Sequence, residues 1–137
     1  MVTAREIMTA DAECIGEKDT LKQAAEKLRD LGVGSMPICG EDNRLKGMLT
    51  DRDIVVECIA AGKDPNTMTA GEIGDGKPVT IGADDSIDEA ISTMKEHKVR
   101  RLPVIDGHEL VGMIAQADIA RNISDEKVGD LVELISS

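Results

Sequence analysis

The sequence predicts a mixed α/β (α+β) fold made of two copies of one strand–helix–strand–strand–helix unit. Three observations predict it. First, the chain repeats itself: "TAREIMTADAECIGEKDTLKQAAEKLRDLGVGSMPI" from Thr3 aligns with "TAGEIGDGKPVTIGADDSIDEAISTMKEHKVRRLPV" from Thr69. Thr3 falls on Thr69 and Pro37 on Pro103, a constant offset of 66. After one loop residue drops out, "GMLTDRDI" (Gly47–Ile54) falls on "GMIAQADI" (Gly112–Ile119). Second, the apolar pattern within each copy switches between helical spacing and short runs split by turn residues. Third, 137 residues with 41% hydrophobic and 31% charged side chains suit a soluble domain with a core of its own. The copies are expected at 1–67 and 68–123, followed by a tail at 124–137.

Each copy opens with a short apolar strand, Cys14–Ile15 in the first and Val79–Ile81 in the second. A helix follows. Leu21, Ala24, Ala25 and Leu28 share one face in the first copy; Ile87, Ala90, Ile91 and Met94 share it in the second. Both helices begin with capping-box pairs, Thr20 with Gln23 and Ser86 with Glu89, and Gly32 is placed to end the first. Two strands joined by a turn come next, "SMPIC" and "LKGML" around "GEDNR", then "RLPVI" and "LVGMI" around "DGHE". A second helix closes each unit; in the first copy it is expected from about Asp51 to a stop at Gly62. The tail "SDEKVGDLVELISS" puts Val128, Leu131, Val132 and Ile135 on one face, which predicts an amphipathic helix packed on the repeats or across a homodimer interface.

Composition excludes several function classes. A net charge of −11 disfavours broad binding to nucleic acid or to anionic membrane, and an anionic ligand needs a local basic pocket. No apolar run approaches the length of a membrane span. No charged, apolar and small-residue leader is present, so the chain is expected in the cytoplasm. Phe, Trp and Tyr are absent, so no base can stack on an aromatic side chain. Two His and no Cys-x-x-Cys spell out no metal set, and no nucleophile motif or phosphate loop marks an enzyme.

The motif "GMLTDRDI" carries two readings. Thr50 at a helix N-cap with Asp53 three positions later is a capping arrangement worth about 1 kcal/mol. The same geometry suits a nucleotide, because free N–H groups at a helix start attract phosphate and a carboxylate accepts from both hydroxyls of a ribose. The two readings are compatible.

The order of elements, the "SMPIC" and "RRLPVI" strands, and the two "GM" motifs resemble the CBS domain, the small module named from cystathionine β-synthase that occurs in tandem. The resemblance covers nearly the whole chain. "TAREIM", "PICG", "GMLTDRDIV", "AAGKDPNT" and "VRRLPVI" make it most similar to small stand-alone CBS pairs described as bacterial hypoxic response proteins. It implies two repeats packed as a pseudo-twofold pair, a homodimer, and an adenosine-containing ligand such as AMP or ATP whose state is passed to a protein effector. By position, Thr50 would meet phosphate and Asp53 the ribose. Asp118 would keep the ribose role in the second copy, where Ala115 replaces the hydroxyl. The adenine would lie against Ile15, Met36, Pro37, Ile81, Leu102 and Pro103.

Basic residues near the motif are Arg52, Arg100 and Arg101. They read either as phosphate-neutralising groups or as solvated partners for some of the 27 acids. Cys58 is expected as a small core residue. Cys14 and Cys39 sit on the first and second strands of the first copy. If those strands are neighbours, the pair reaches disulfide distance; otherwise they are two reduced, buried thiols. The leading functional reading is a non-catalytic sensor, for which the resemblance implies a link to stress or hypoxia. The alternative is a ligand-free stress or interaction protein whose repeats are scaffold, with a Cys14–Cys39 bridge.

Overall fold

The computed structural model describes residues 2–10, 12–74 and 78–122; the helix expected over 124–137 lies outside them. The elements run α1 (Ala4–Ile7), β1 (Thr9–Ala10), β2 (Ile15–Gly16), α2 (Leu21–Leu31), β3 (Ser35–Cys39), β4 (Leu45–Thr50) and α3 (Asp51–Asp53). They continue with α4 (Ala70–Ile73), β5 (Ile81–Gly82), α5 (Ile87–His97), β6 (Arg101–Asp106), β7 (Glu109–Ala115) and α6 (Gln116–Ala120). Each copy thus shows the expected order of strand, helix, hairpin and helix, and the fold is mixed α/β.

Local chemistry accounts for the helix ends. At α2, the Gln23 N–H donates to Thr20 Oγ1 at 3.2 Å and the Thr20 N–H donates to Gln23 Oε1 at 2.9 Å, a complete capping box. Gly32 ends the helix in the left-handed region at φ 65°. The equivalent start of α5 shows one of the two bonds, from the Glu89 N–H to Ser86 Oγ at 3.2 Å. That helix ends on Lys98, also left-handed at φ 55°. The helix after β4 departs from expectation. Only Asp51–Asp53 is α-helical, and Ile54–Ile59 widens into a π-helix before Gly62 turns the chain at φ 75°.

Strand order follows the βαβ logic of short connections. In the first copy β2 runs parallel to β3, with Ile15 beside Ile38, and β3 pairs antiparallel with β4, with Ser35 opposite Thr50. In the second copy β5 runs parallel to β6 and β6 pairs antiparallel with β7, with Arg101 opposite Ala115. This second sheet gains a fourth strand, because β1 pairs antiparallel with β7, Thr9 against Met113.

The compact units are out of phase with the sequence copies. One unit is Glu13–Pro78; the other joins the residues up to Ala12 to those from Val79 onward. Each unit therefore seats the leader that precedes the other copy's first strand. In the second unit, Ala4 and Arg5 donate backbone N–H to Asp85 and Ala83 carbonyls at 2.8 Å, and the Ile87 N–H donates to the Val2 carbonyl at 3.2 Å. In the first, Ala70 and Gly71 donate to Asp19 and Glu17 carbonyls at 2.9 Å, and the Leu21 N–H donates to the Met68 carbonyl at 2.8 Å. Every one of these bonds has its counterpart 66 residues away.

Two cores result. Ile15, Leu21, Ala24, Leu28, Met36, Ile38, Leu49, Ile54 and Cys58 form one, into which Ala70 of α4 is inserted. Ile81, Ile87, Ala90, Met94, Leu102, Val104, Ile114 and Ile119 belong to the other, into which Ala4 of α1 is inserted. The exchange explains the first residue of each "GM" motif. A Cβ on Gly47 would overlap the Gly74 carbonyl, and one on Gly112 would stand 2.6 Å from the Thr9 carbonyl oxygen. Glycine is required there because the backbone of a leader segment crosses the strand. Among the described residues no helix is long and apolar enough to cross a membrane.

Candidate functional site

Thr50 is the last residue of β4 and the N-cap of α3. Its φ and ψ of −111° and 159° keep it extended while Asp51 turns into the helix. The Asp53 N–H donates to Thr50 Oγ1 at 3.0 Å, and the Thr50 N–H donates to Asp53 Oδ2 at 3.0 Å. Thr50 and Asp53 are both half-buried. The capping reading is therefore realised in full. It consumes one carboxylate oxygen of Asp53; Oδ1 makes no hydrogen bond or ion pair among the described residues.

The second copy repeats half of this. The Ala115 N–H donates to Asp118 Oδ2 at 2.8 Å, but no hydroxyl returns a bond to the Asp118 N–H. Asp118 differs from Asp53 in two further ways. It is buried, at 7% exposure, and its Oδ1 accepts from Arg121 Nη2 at 2.7 Å. Arg121 escaped the sequence reading. The available signal was a cation three positions after the motif carboxylate, where the first copy has Val56.

The other expected residues fall as follows. Arg52 is exposed beside the first motif, and its guanidinium makes no hydrogen bond or ion pair among the described residues. Arg100 is exposed, and its carbonyl accepts from the Gln116 N–H at 3.1 Å. Arg101 is half-buried on β6, opposite Ala115. The strand ends thus bring Arg100 and Arg101 next to the second motif, and Arg52 next to the first. Ile15, Met36, Pro37, Ile81, Leu102 and Pro103, the residues expected to back an adenine, are all buried. Ile15 and Leu102 are fully covered within the two cores. The polar pair, not these side chains, is the accessible part of the motif.

Cys14 and Cys39 are joined by a disulfide across β2 and β3, with Cα atoms 5.7 Å apart. Lys27 reaches back from α2 to the Cys14 carbonyl at 2.9 Å and pins the same corner. Cys58 is fully buried and free, as a core residue should be. His97 closes α5 and His108 sits in the β6–β7 turn, both exposed. Among the described residues no three His, Cys, Asp or Glu converge as a metal set.

A shallow groove of about 560 Å³ lies in the first copy, lined by Ala25, Leu28, Val33, Asp51, Ile54 and Val55 among others, and so borders the motif. Leu31, Val55, Val56 and Ile59, on α2 and the π-helix, are 45–57% exposed. Three of these four lie in the run "IVVECI".

Two repeats, each with a Gly and an Asp at matching places of a strand-to-helix motif, define a tandem two-repeat module. The CBS-domain family model matches residues 4–59 and 70–125, and the chain belongs to the CBS-domain family as a tandem pair. It is 50% identical over 137 residues to Hypoxic response protein 1 of Mycobacterium tuberculosis, a match covering 100% of this chain and 96% of that protein. It is 34% identical to the CBS domain-containing protein YhcV of Bacillus subtilis, over 99% of this chain and 96% of the relative. Among solved structures it is similar to Hypoxic Response Protein I with two coordinated zinc ions, at TM-score 0.84 and 53% identity, covering 90% of this chain and 100% of that one. The fold is also that of CBSX2 in complex with AMP, at TM-score 0.77 and 20% identity, over 88% of this chain and 95% of that one.

Proposed function

We propose that the chain is a non-catalytic regulatory module of the cytoplasm that binds an adenosine-containing ligand at the first "GM" motif and passes its state to a protein partner. The observation that carries the reading is the Oδ1 of half-buried Asp53, one residue along from exposed Arg52; among the described residues neither that oxygen nor the Arg52 guanidinium has a hydrogen-bond or ion-pair partner. An acceptor and a cation at the start of one helix are what a ribose and a phosphate require. The AMP held by CBSX2 and the hypoxic response in the name of a relative 50% identical to this chain support the ligand class and a stress-linked role.

Because the chain has no Trp or Tyr, protein absorbance leaves the purine band clear. The test is an ultraviolet spectrum of freshly purified protein, followed by calorimetric titration with AMP and ATP. Absence of both a purine band and heat overturns the reading. A second reading rests on the Cys14–Cys39 disulfide: a ligand-free scaffold stabilised by a covalent clamp for stress conditions. That reading gains if nucleotide is absent and activity in a partner assay follows the thiol state.

In either reading the apolar face of Leu31, Val55, Val56 and Ile59 is expected to bury itself against a second copy of the chain. Light scattering should give a dimer. Val55→Glu or Ile59→Glu should shift it to monomer; a dimer unmoved by both rejects this face as the interface.

A further inference from the structure

We infer that Arg121 closes the second motif to ribose, so that the chain offers one nucleotide site and not two. The inference rests on the reading of Asp53 as a ribose acceptor. The two motif carboxylates have the same backbone partner, the N–H of the residue three before, at 3.0 Å for Asp53 and 2.8 Å for Asp118. They differ in the second oxygen. Asp53 Oδ1 is open, whereas Asp118 Oδ1 holds Arg121 Nη2 at 2.7 Å. The Asp118 side chain is only 10% exposed, whereas the Arg121 side chain paired with it is 71% exposed. Asn122 tightens the same turn by donating Nδ2 to the Asp118 carbonyl at 2.7 Å.

A ribose diol needs a reachable carboxylate lone pair. At the second motif it must displace a hydrogen bond in which donor and acceptor are both charged, to gain one in which only the acceptor is. Arg121 stands three residues after Asp118, the same distance at which Val56 follows Asp53, so it shares a helix face with its carboxylate. The Val56 side chain has no donor, and among the described residues nothing in the first copy reproduces the closure. A mononucleotide is thereby confined to the first copy. The missing hydroxyl at Ala115 is then a secondary difference: restoring it does not free Asp118.

The experiment is the stoichiometry of AMP binding per chain, measured by equilibrium dialysis on the parent, Arg121→Val, Val56→Arg and Ala115→Thr, each confirmed folded by circular dichroism. The inference expects one AMP for the parent, two for Arg121→Val, one for Ala115→Thr, and at least a tenfold loss of affinity for Val56→Arg. Two AMP on the parent, or one AMP on both the parent and Arg121→Val, overturns it and leaves the first site standing. No AMP on the parent with one on Arg121→Val overturns the first site and keeps the closure. No AMP on either overturns both.

Discussion

Asp53 and Asp118 occupy the same place in two copies of one motif, yet one is half-buried with an open oxygen and the other is buried and ion-paired. What they share is the bond to the backbone N–H where strand becomes helix. That bond satisfies a donor the helix cannot, so the carboxylate is needed by the fold in both copies. Its recurrence therefore says nothing about a ligand. What separates the copies is the remaining chemistry: the hydroxyl of Thr50 against the methyl of Ala115, and Val56 against Arg121. In a repeat protein the shared residues report architecture, and the differences are where function must be sought.

The comparison can be broken most severely at the disulfide, which only the first copy has; Thr80 and Ile105 stand in the second. Cys14→Ser with Cys39→Ser, or reduction, removes a crosslink spanning a sequence separation of 25. The expected loss is about 3 kcal/mol by chemical denaturation. Amide exchange should rise first along β2 and β3 and leave β5 and β6 protected; equal loosening in both sheets would mean that the clamp does not act locally.

Next in size is the glycine that begins each motif. Gly47→Ala should cost about 2 kcal/mol, because the new methyl meets the backbone carbonyl of Gly74, which cannot swing aside. Gly112→Ala should cost less, since one of its two nearest atoms is the flexible Met8 Sδ. Thermal melts of the two variants decide the order, and equal losses would show that the crossing leader moves freely.

A smaller effect sharpens the comparison at the cap. Thr50→Ala should lower stability by about 1 kcal/mol, and Ala115→Thr should raise it by a similar amount or less. If only melting temperatures change in these variants, and AMP affinity does not, Thr50 is a cap and nothing more.

The smallest effect concerns Asp42, in the first copy's longer turn. The Arg44 backbone N–H, which donates to Asp42 Oδ1 at 3.1 Å, holds this carboxyl below its usual range; Lys46 and the Arg44 charge add to the effect. A carboxyl whose pKa is lowered on folding stabilises the fold above its unfolded pKa, and that gain fades as pH falls through the folded value. Asp42→Asn should thus be slightly destabilising at neutral pH and neutral in strong acid. A penalty that persists in acid would show that the carboxylate charge is not its source, since asparagine keeps an oxygen to accept the Arg44 N–H.

Much of this architecture was legible in the sequence. The repeat, the helix face of Leu21, Ala24 and Leu28, the cap at Thr20 and the stop at Gly32 are local signals, and each appears within a residue or so of its expected place. The π-helical turn at Ile54–Ile59 was not legible, because its composition equally suits an α-helix. Nor was the exchange of leaders: "TAREI" and "TAGEI" are alike, so a pattern cannot tell which copy each one seats in. At the motif, sequence located Thr50 and Asp53, but burial decides availability, and burial depends on the neighbours. It covered Ile15 and Leu102 with the cores and gave Asp118 to Arg121.

The seat of α1 imposes an order on synthesis. The segment containing Ala4 and Arg5 is made before its carbonyl partners at Ala83 and Asp85, which lie about eighty residues further along the chain. Glu13–Pro78 is contiguous and carries its own α4, so it has all its parts as soon as that stretch is free of the ribosome. The segment of α1 must wait, with Arg5 unpaired until Asp84 and Asp106 arrive. A nascent chain halted after the first sequence copy would therefore hold a finished leader with nowhere to dock, and a first core still missing Ala70.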